Sequence, residues 1–193
     1  MKISGLLTFV VCVCFSALAQ NVPDVLRPPK GAPVALIVFE DLQCPQCARS
    51  APLLAQASQT YKIPLVQHDF PLPNHNWSMN AAILARYFDT HSKSVGDAFR
   101  AYVFEHQREI LPDNLRGFAE KFATEHKVDI PFVVDPAGKL NALIMADREL
   151  GRSINLDHTP TIYVVTEKKV GTPYVEVKDL SQLYATIDAV KKQ

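Results

Sequence analysis

The stretch Val34-Ala35-Leu36-Ile37-Val38-Phe39-Glu40-Asp41-Leu42-Gln43-Cys44-Pro45-Gln46-Cys47 decides how the rest of the chain is read. Its first six residues form a continuous apolar run of strand length, the pattern of a strand buried on both faces. Glu40 to Gln43 leave that strand. Cys44-Pro45 then has the form of a helix start, because proline is favoured at the first helical position, where its missing N–H costs no hydrogen bond. Two cysteines therefore stand at a strand-to-helix junction. The helix is expected to run to about Gln59, with a kink at Pro52, where a backbone donor is missing.

Downstream, Ile63 to Asp69 reads as a second strand with Pro64 near its start. Ser78 to Asp89, Val95 to Ile110, Asp113 to His126 and Gly138 to Asn155 carry apolar residues at three- and four-residue spacing and read as helices, with Asp113 as an N-cap. The period then changes. Thr161 to Thr166 and Tyr174 to Val177 are β-branched and aromatic, separated by a charged segment with Gly171, which predicts a hairpin. A last amphipathic helix covers Leu180 to Val190, with Asp179 or Ser181 as its cap. The order predicts an α/β domain in which a right-handed crossover makes the first two strands parallel and the hairpin adds antiparallel strands.

Upstream, Lys2, the apolar run Gly5 to Ser16 and Ala17-Leu18-Ala19 have the charge, length and small-x-small ending of a signal peptide, residues 1–19. An uncleaved N-terminal anchor is the alternative. Residues 20–33 read as an extended leader and 34–193 as the domain. Acidic and basic side chains balance, with no long run of one sign, so nucleic acid has no electrostatic support as a partner. Of the four cysteines, Cys12 and Cys14 lie in the apolar run, which leaves Cys44 and Cys47 in an oxidising compartment, periplasmic or extracellular. A bridge closing so short a loop constrains little of the unfolded chain, so a purely structural disulfide explains the pair poorly.

The pair after a buried strand, Pro52 within its helix, Thr159-Pro160 before the hairpin strand, and Asp69-Phe70-Pro71-Leu72-Pro73-Asn74-His75 leading into Ala81-Ala82 together resemble the DsbA branch of the thioredoxin superfamily. The resemblance covers nearly all of the chain after residue 19. It implies a thioredoxin-like fold with an all-helical insertion at about residues 75–155. It also implies a protein thiol–disulfide oxidoreductase that needs no cofactor or metal, acts on protein substrates with free thiols or disulfides, and works with a membrane redox partner of the DsbB or VKOR type. In such proteins the proline matching Pro160 is cis, and the backbone at Thr159 pairs with an extended substrate segment. One departure stands out: the acid commonly found six positions before the first cysteine is here Val38. Glu40 and Asp41 are the candidates to replace it.

The chemistry requires a thiolate, and a helix N-terminus favours one, lowering cysteine pKa values from about 8.5 to roughly 3.5–7.5. Cys44 is accordingly the expected nucleophile and Cys47 the resolving thiol. Gln46 and His158 join Glu40 and Asp41 as groups that could tune the pair; Pro45-Gln46 supplies no cation, unlike an intervening histidine. The insertion favours an oxidase. A reductase using the same pair is the alternative. From a different class come a metal-binding module, for which His75 and His158 would have to complete the ligand set in no recognised spacing, and a non-catalytic client-binding protein.

Overall fold

A computed structural model describes residues 22–168 and 171–193. The signal peptide read at residues 1–19, with its anchor alternative, and the first two leader residues lie outside the described residues. The rest of the leader is not uniformly extended. Asp24–Leu26 forms one 3-10 turn, and Leu26 is buried beneath the sheet, because an apolar side chain in a short connector gains by joining a core already formed.

Strand β1 spans Val34–Glu40 and is buried at every position. It is followed by helix α1, Pro45–Tyr61, which continues through Pro52, and by strand β2, Leu65–Asp69, which begins two residues later than the apolar pattern predicts. Strands β3, Thr161–Thr166, and β4, Tyr174–Glu176, complete a four-stranded sheet of order β2-β1-β3-β4. β2 runs parallel to β1, whereas β3 is antiparallel to β1 and β4 to β3. The two faces of β1 fill different cores. Val34, Leu36 and Val38 pack with Leu54 and Ala57 of α1, while Ala35, Ile37 and Phe39 pack with Phe70, Tyr163 and Val165. The alternation follows from the two-residue period of a strand. The closing helix begins as a 3-10 turn, Leu180–Gln182, capped by the Asp179 side chain, and continues as an α-helix, Leu183–Lys192, whose Leu183, Ile187 and Val190 cover the α1 side of the sheet.

Between β2 and β3 lie α2, Ser78–His91; α3, Lys93–Glu105; α4, Leu115–His126; and α5, Lys139–Ser153. Phe88, Phe99 and Phe122 meet at the centre of their own core, with ring centroids 4.6–5.1 Å apart. Two predicted boundaries are corrected. α3 stops at Glu105 instead of Ile110, since Ile110 is buried from a turn that folds back under the helix end. α4 starts at Leu115, and Asp113 caps nothing: Asn114 precedes the helix and its Oδ1 accepts from the Leu111 N–H. Among the described residues no helix is long and apolar enough to cross a membrane.

α2 and α3 are clamped by a buried ion pair. The Arg100 guanidinium donates from Nη1 and Nη2 to the two oxygens of Asp89 at 2.8 and 2.7 Å, with the arginine side chain 4 % exposed. Gly96 makes this possible, because a Cβ there would lie 1.8 Å from Asp89 Oδ1. Removing one partner of such a pair strands the other charge in the interior. Asp89→Ala is therefore expected to lose about 3–5 kcal/mol of stability, measured as a lower midpoint in urea unfolding.

Candidate active site

β1 delivers the chain to the site and the sheet register completes it. Glu40, the last residue of β1, pairs with Asp69, and Phe39 pairs with Thr161, so the residues just before β3 lie beside the turn that leaves β1. Cys44 is the N-cap of α1, with extended backbone (φ −79°, ψ 120°), and Pro45 opens the first turn. Cys47 lies one turn deeper and is fully buried. Neither cysteine is in a disulfide.

The two sulfurs are in opposite electrostatic situations. The Cys44 thiol is brought down to about 5. Hydrogen bonding from the Cys47 thiol is the largest cause; burial opposes it, and Thr159 and the N–H groups of Cys47 and Gln46 add to the lowering. Cys47 is pushed the other way, first by burial and then by its bond to Cys44, with Glu40 contributing a like charge. Cys44 Sγ also lies 3.3 Å from the carbonyl of Thr159, and the Thr159–Pro160 peptide bond is cis. Thr159 and Pro160 border a cavity of about 460 Å³ that reaches Gln46, Arg49 and His158.

The structure separates Glu40 from Asp41. Glu40 continues the face of β1 that carries Val38. It is 3 % exposed, accepts one bond from Gln67 Nε2 at 3.1 Å, and has its pKa raised to about 7, chiefly by burial, with Arg100 as the main opposing charge. Val38 and Glu40 both line a cavity of about 720 Å³ between α1 and α3. Asp41 instead is saturated. Oδ1 accepts from the Gln43 N–H at 2.7 Å and the Ser78 hydroxyl at 2.6 Å; Oδ2 accepts from the Leu72 N–H and pairs with His75 Nδ1, both at 2.7 Å. Its own N–H donates to Cys47 Sγ at 3.4 Å. Four hydrogen-bonding partners give this carboxylate a structural part in the turn.

The side chains of the remaining candidates make their hydrogen bonds to groups other than the sulfurs. Gln46 is exposed and accepts from Arg49 Nε, and His158 is exposed, bonded to Asp157. His75 is tied to Asp41, and Trp77 is buried in the insertion core. No group of three or more histidine, cysteine or acidic side chains among the described residues is placed to hold a metal ion. Two glutamines had no sequence signal. Gln43 accepts from the Trp77 N–H and donates to Asn76, and Gln107 donates to the carbonyls of Leu42 and Cys44.

The family model described as thioredoxin matches residues 22–189. A curated relative, the Na(+)/H(+) antiporter NhaA 1 of Salinispora arenicola, is 26 % identical over 160 residues, and the chain spans 23 % of that protein's length against 79 % of its own. Among solved structures, Wolbachia pipientis alpha-DsbA1 superposes with a TM-score of 0.68 at 17 % identity, covering 86 % of this chain and 89 % of that one. Pseudomonas aeruginosa DsbA2 gives 0.63 at 18 % identity, covering 84 % and 91 %. A periplasmic thioredoxin-like protein of Salmonella enterica serovar Typhimurium gives 0.67 at 16 %, covering 91 % and 94 %. The chain belongs to the thioredoxin family, and its fold is the DsbA-like one, in which an all-helical insertion sits between the second and third strands.

Proposed function

We propose that this protein is an exported dithiol–disulfide oxidoreductase that donates its Cys44–Cys47 disulfide to protein thiols. The observation that carries the reading is the contrast between the two sulfurs: Cys44 is an acidic thiol at a helix N-terminus and Cys47 a buried one held protonated. In the forward step a substrate thiolate attacks Cys44 Sγ of the oxidised pair, the bond to Cys47 breaks, and Cys47 leaves as a thiolate that takes up a proton. A second substrate thiolate then attacks the substrate sulfur of the mixed disulfide. The substrate leaves oxidised and Cys44 leaves as a thiolate. The Thr159 backbone beside Cys44 offers an edge for an extended substrate segment. A membrane redox partner of the DsbB or VKOR type would return the pair to its oxidised form.

An acidic leaving thiol favours the reduced protein and so makes the disulfide a stronger oxidant. A glutathione redox titration is expected to place the pair on the oxidising side, toward about −120 mV; a value near −270 mV overturns the oxidase reading in favour of a reductase. In the reduced protein, thiolate absorbance should titrate with a midpoint near pH 5. Cys47→Ala, which removes the largest stabilising contact, should move that midpoint up toward the ordinary thiol range of about 8.5, and Cys44→Ser should abolish it.

Glu40 is the group we assign to proton exchange with Cys47, in place of the acid absent at Val38. Its folded pKa lies above its unfolded one, so the folded protein binds the extra proton between about pH 4.5 and 7, and stability falls as pH rises through that window. In the oxidised protein, where Cys44 does not titrate, Glu40→Gln should remove this fall. The variant should exceed the parent by on the order of 2–3 kcal/mol at pH 8 and match it near pH 4, read from urea midpoints across pH.

A further inference from the structure

Gln107 lies 63 residues beyond Cys44, in the turn that follows α3, yet its side-chain amide reaches the turn carrying the cysteine. Nε2 donates to the Leu42 carbonyl at 2.8 Å and to the Cys44 carbonyl at 3.1 Å. A carboxamide nitrogen carries two N–H groups, so these two bonds use its full donor capacity. The Cys44 carbonyl is also the acceptor that starts α1, bonded by the Ala48 N–H at 3.2 Å. Gln107 thus grips the backbone on both sides of Gln43, at the last residue before the helix.

The base from which it reaches is fixed. The N–H groups of Glu109 and Ile110 donate to the His106 carbonyl at 2.8 and 3.2 Å, Ile110 is buried, and the Asn114 side chain bonds both the Glu109 carbonyl and the Leu111 N–H. From the other side the same turn is held by Asp41 and by Gln43, which takes the Trp77 N–H.

Resting on the oxidoreductase reading above, we infer that Gln107 is a positioning residue through which the helical insertion sets the redox equilibrium of the Cys44–Cys47 pair. Hydrogen bonds to a thiolate depend on where the sulfur sits over the first N–H groups of the helix, and that is fixed by the peptide units on either side of Cys44. The bond to the Cys44 carbonyl also draws down the negative end of the cysteine's own carbonyl dipole. Both effects favour the reduced, thiolate form. Without them the disulfide becomes the more favoured state and the protein a weaker oxidant.

The test is the glutathione equilibrium and the thiolate titration of Gln107→Leu and Gln107→Glu beside the parent, with urea unfolding of the oxidised and reduced forms. Gln107→Leu should shift the equilibrium toward disulfide by about threefold to tenfold, the size of one or two lost hydrogen bonds, and should lower the reduced form's unfolding midpoint more than the oxidised form's. Gln107→Glu should shift it further the same way, since it brings a negative charge to the thiolate. Gln107→Asn, which keeps the amide but withdraws it by one methylene, serves where the leucine variant fails to fold and should shift in the same direction. Folded variants with the parent's equilibrium and equal losses in both redox forms would reduce Gln107 to a structural contact and overturn the inference, while the parent's exchange with glutathione stood. A parent whose cysteines do not exchange at all would overturn the oxidoreductase reading together with it.

Discussion

One buried carboxylate holds the working end of the molecule together. Asp41 follows the last residue of β1, and its two oxygens gather the Gln43 N–H, the Ser78 hydroxyl, the Leu72 N–H and the His75 ring. These donors come from three places: the turn before the helix, the connector after β2 and the start of α2. A buried carboxyl group with fewer partners would be costly there, and with four it becomes a hub. The strand thus hands over to the helix at a fixed angle. Because the Asp41 N–H also donates to Cys47, the same residue touches the buried sulfur from its backbone side.

That fixed angle is what makes two chemically identical thiols different. Cys44 lies where the unsatisfied N–H groups of α1 converge, and Cys47 lies where the first turn has carried the chain beneath the surface. A charge at the first position is met by dipoles, whereas a charge at the second would be met by apolar packing and by Glu40. No special side chain between the cysteines is needed for the contrast. Gln46 is turned to Arg49 at the surface, and the asymmetry comes from the bond between the two sulfurs and the deeper burial of Cys47, with the N–H groups of the helix end adding to it.

The parts of this arrangement that sequence makes visible are the local ones. The apolar run at Val34 to Phe39 and a proline at the first helical position are signals of backbone state, and backbone state locates the cysteines on β1 and α1. The β-branched and aromatic residues Thr161 to Thr166 likewise mark β3 to its ends. Periodicity fails where an apolar residue is buried from a turn: Ile110 extends the apparent pattern of α3 past its true end, and Leu26 docks from a segment whose prolines suggest an open leader. Long-range polar contacts leave no period at all. Glu40 and Asp41 are adjacent acids, and nothing in the sequence tells that one accepts a single bond at the cavity wall while the other gathers four partners. Gln107 is one more polar residue in a turn until the fold brings it to Cys44.

The insertion does more than cover the sheet, because it supplies the cations against which the sheet's buried acids are balanced. Arg86 of α2 binds both Asp69 of β2 and Asp147 of α5, and Asp147 in turn holds His68 Nδ1 at 2.7 Å and the Asp69 N–H at 3.0 Å. Arg100 of α3 lies close enough to Glu40 and Asp69 to lower both while it is bound to Asp89. Burial drives the Glu40 pKa upward. The Arg100 charge works against that burial, and Glu40 comes to rest at about 7. The raised acid at Glu40 is therefore a joint product of β1, which buries it, and α3, whose Arg100 charge opposes that burial. The same helix runs into the turn from which Gln107 holds the backbone of Cys44. The insertion thus reaches the cysteine pair's surroundings twice, through the Arg100 charge that acts on Glu40 and through hydrogen bonds beside Cys44.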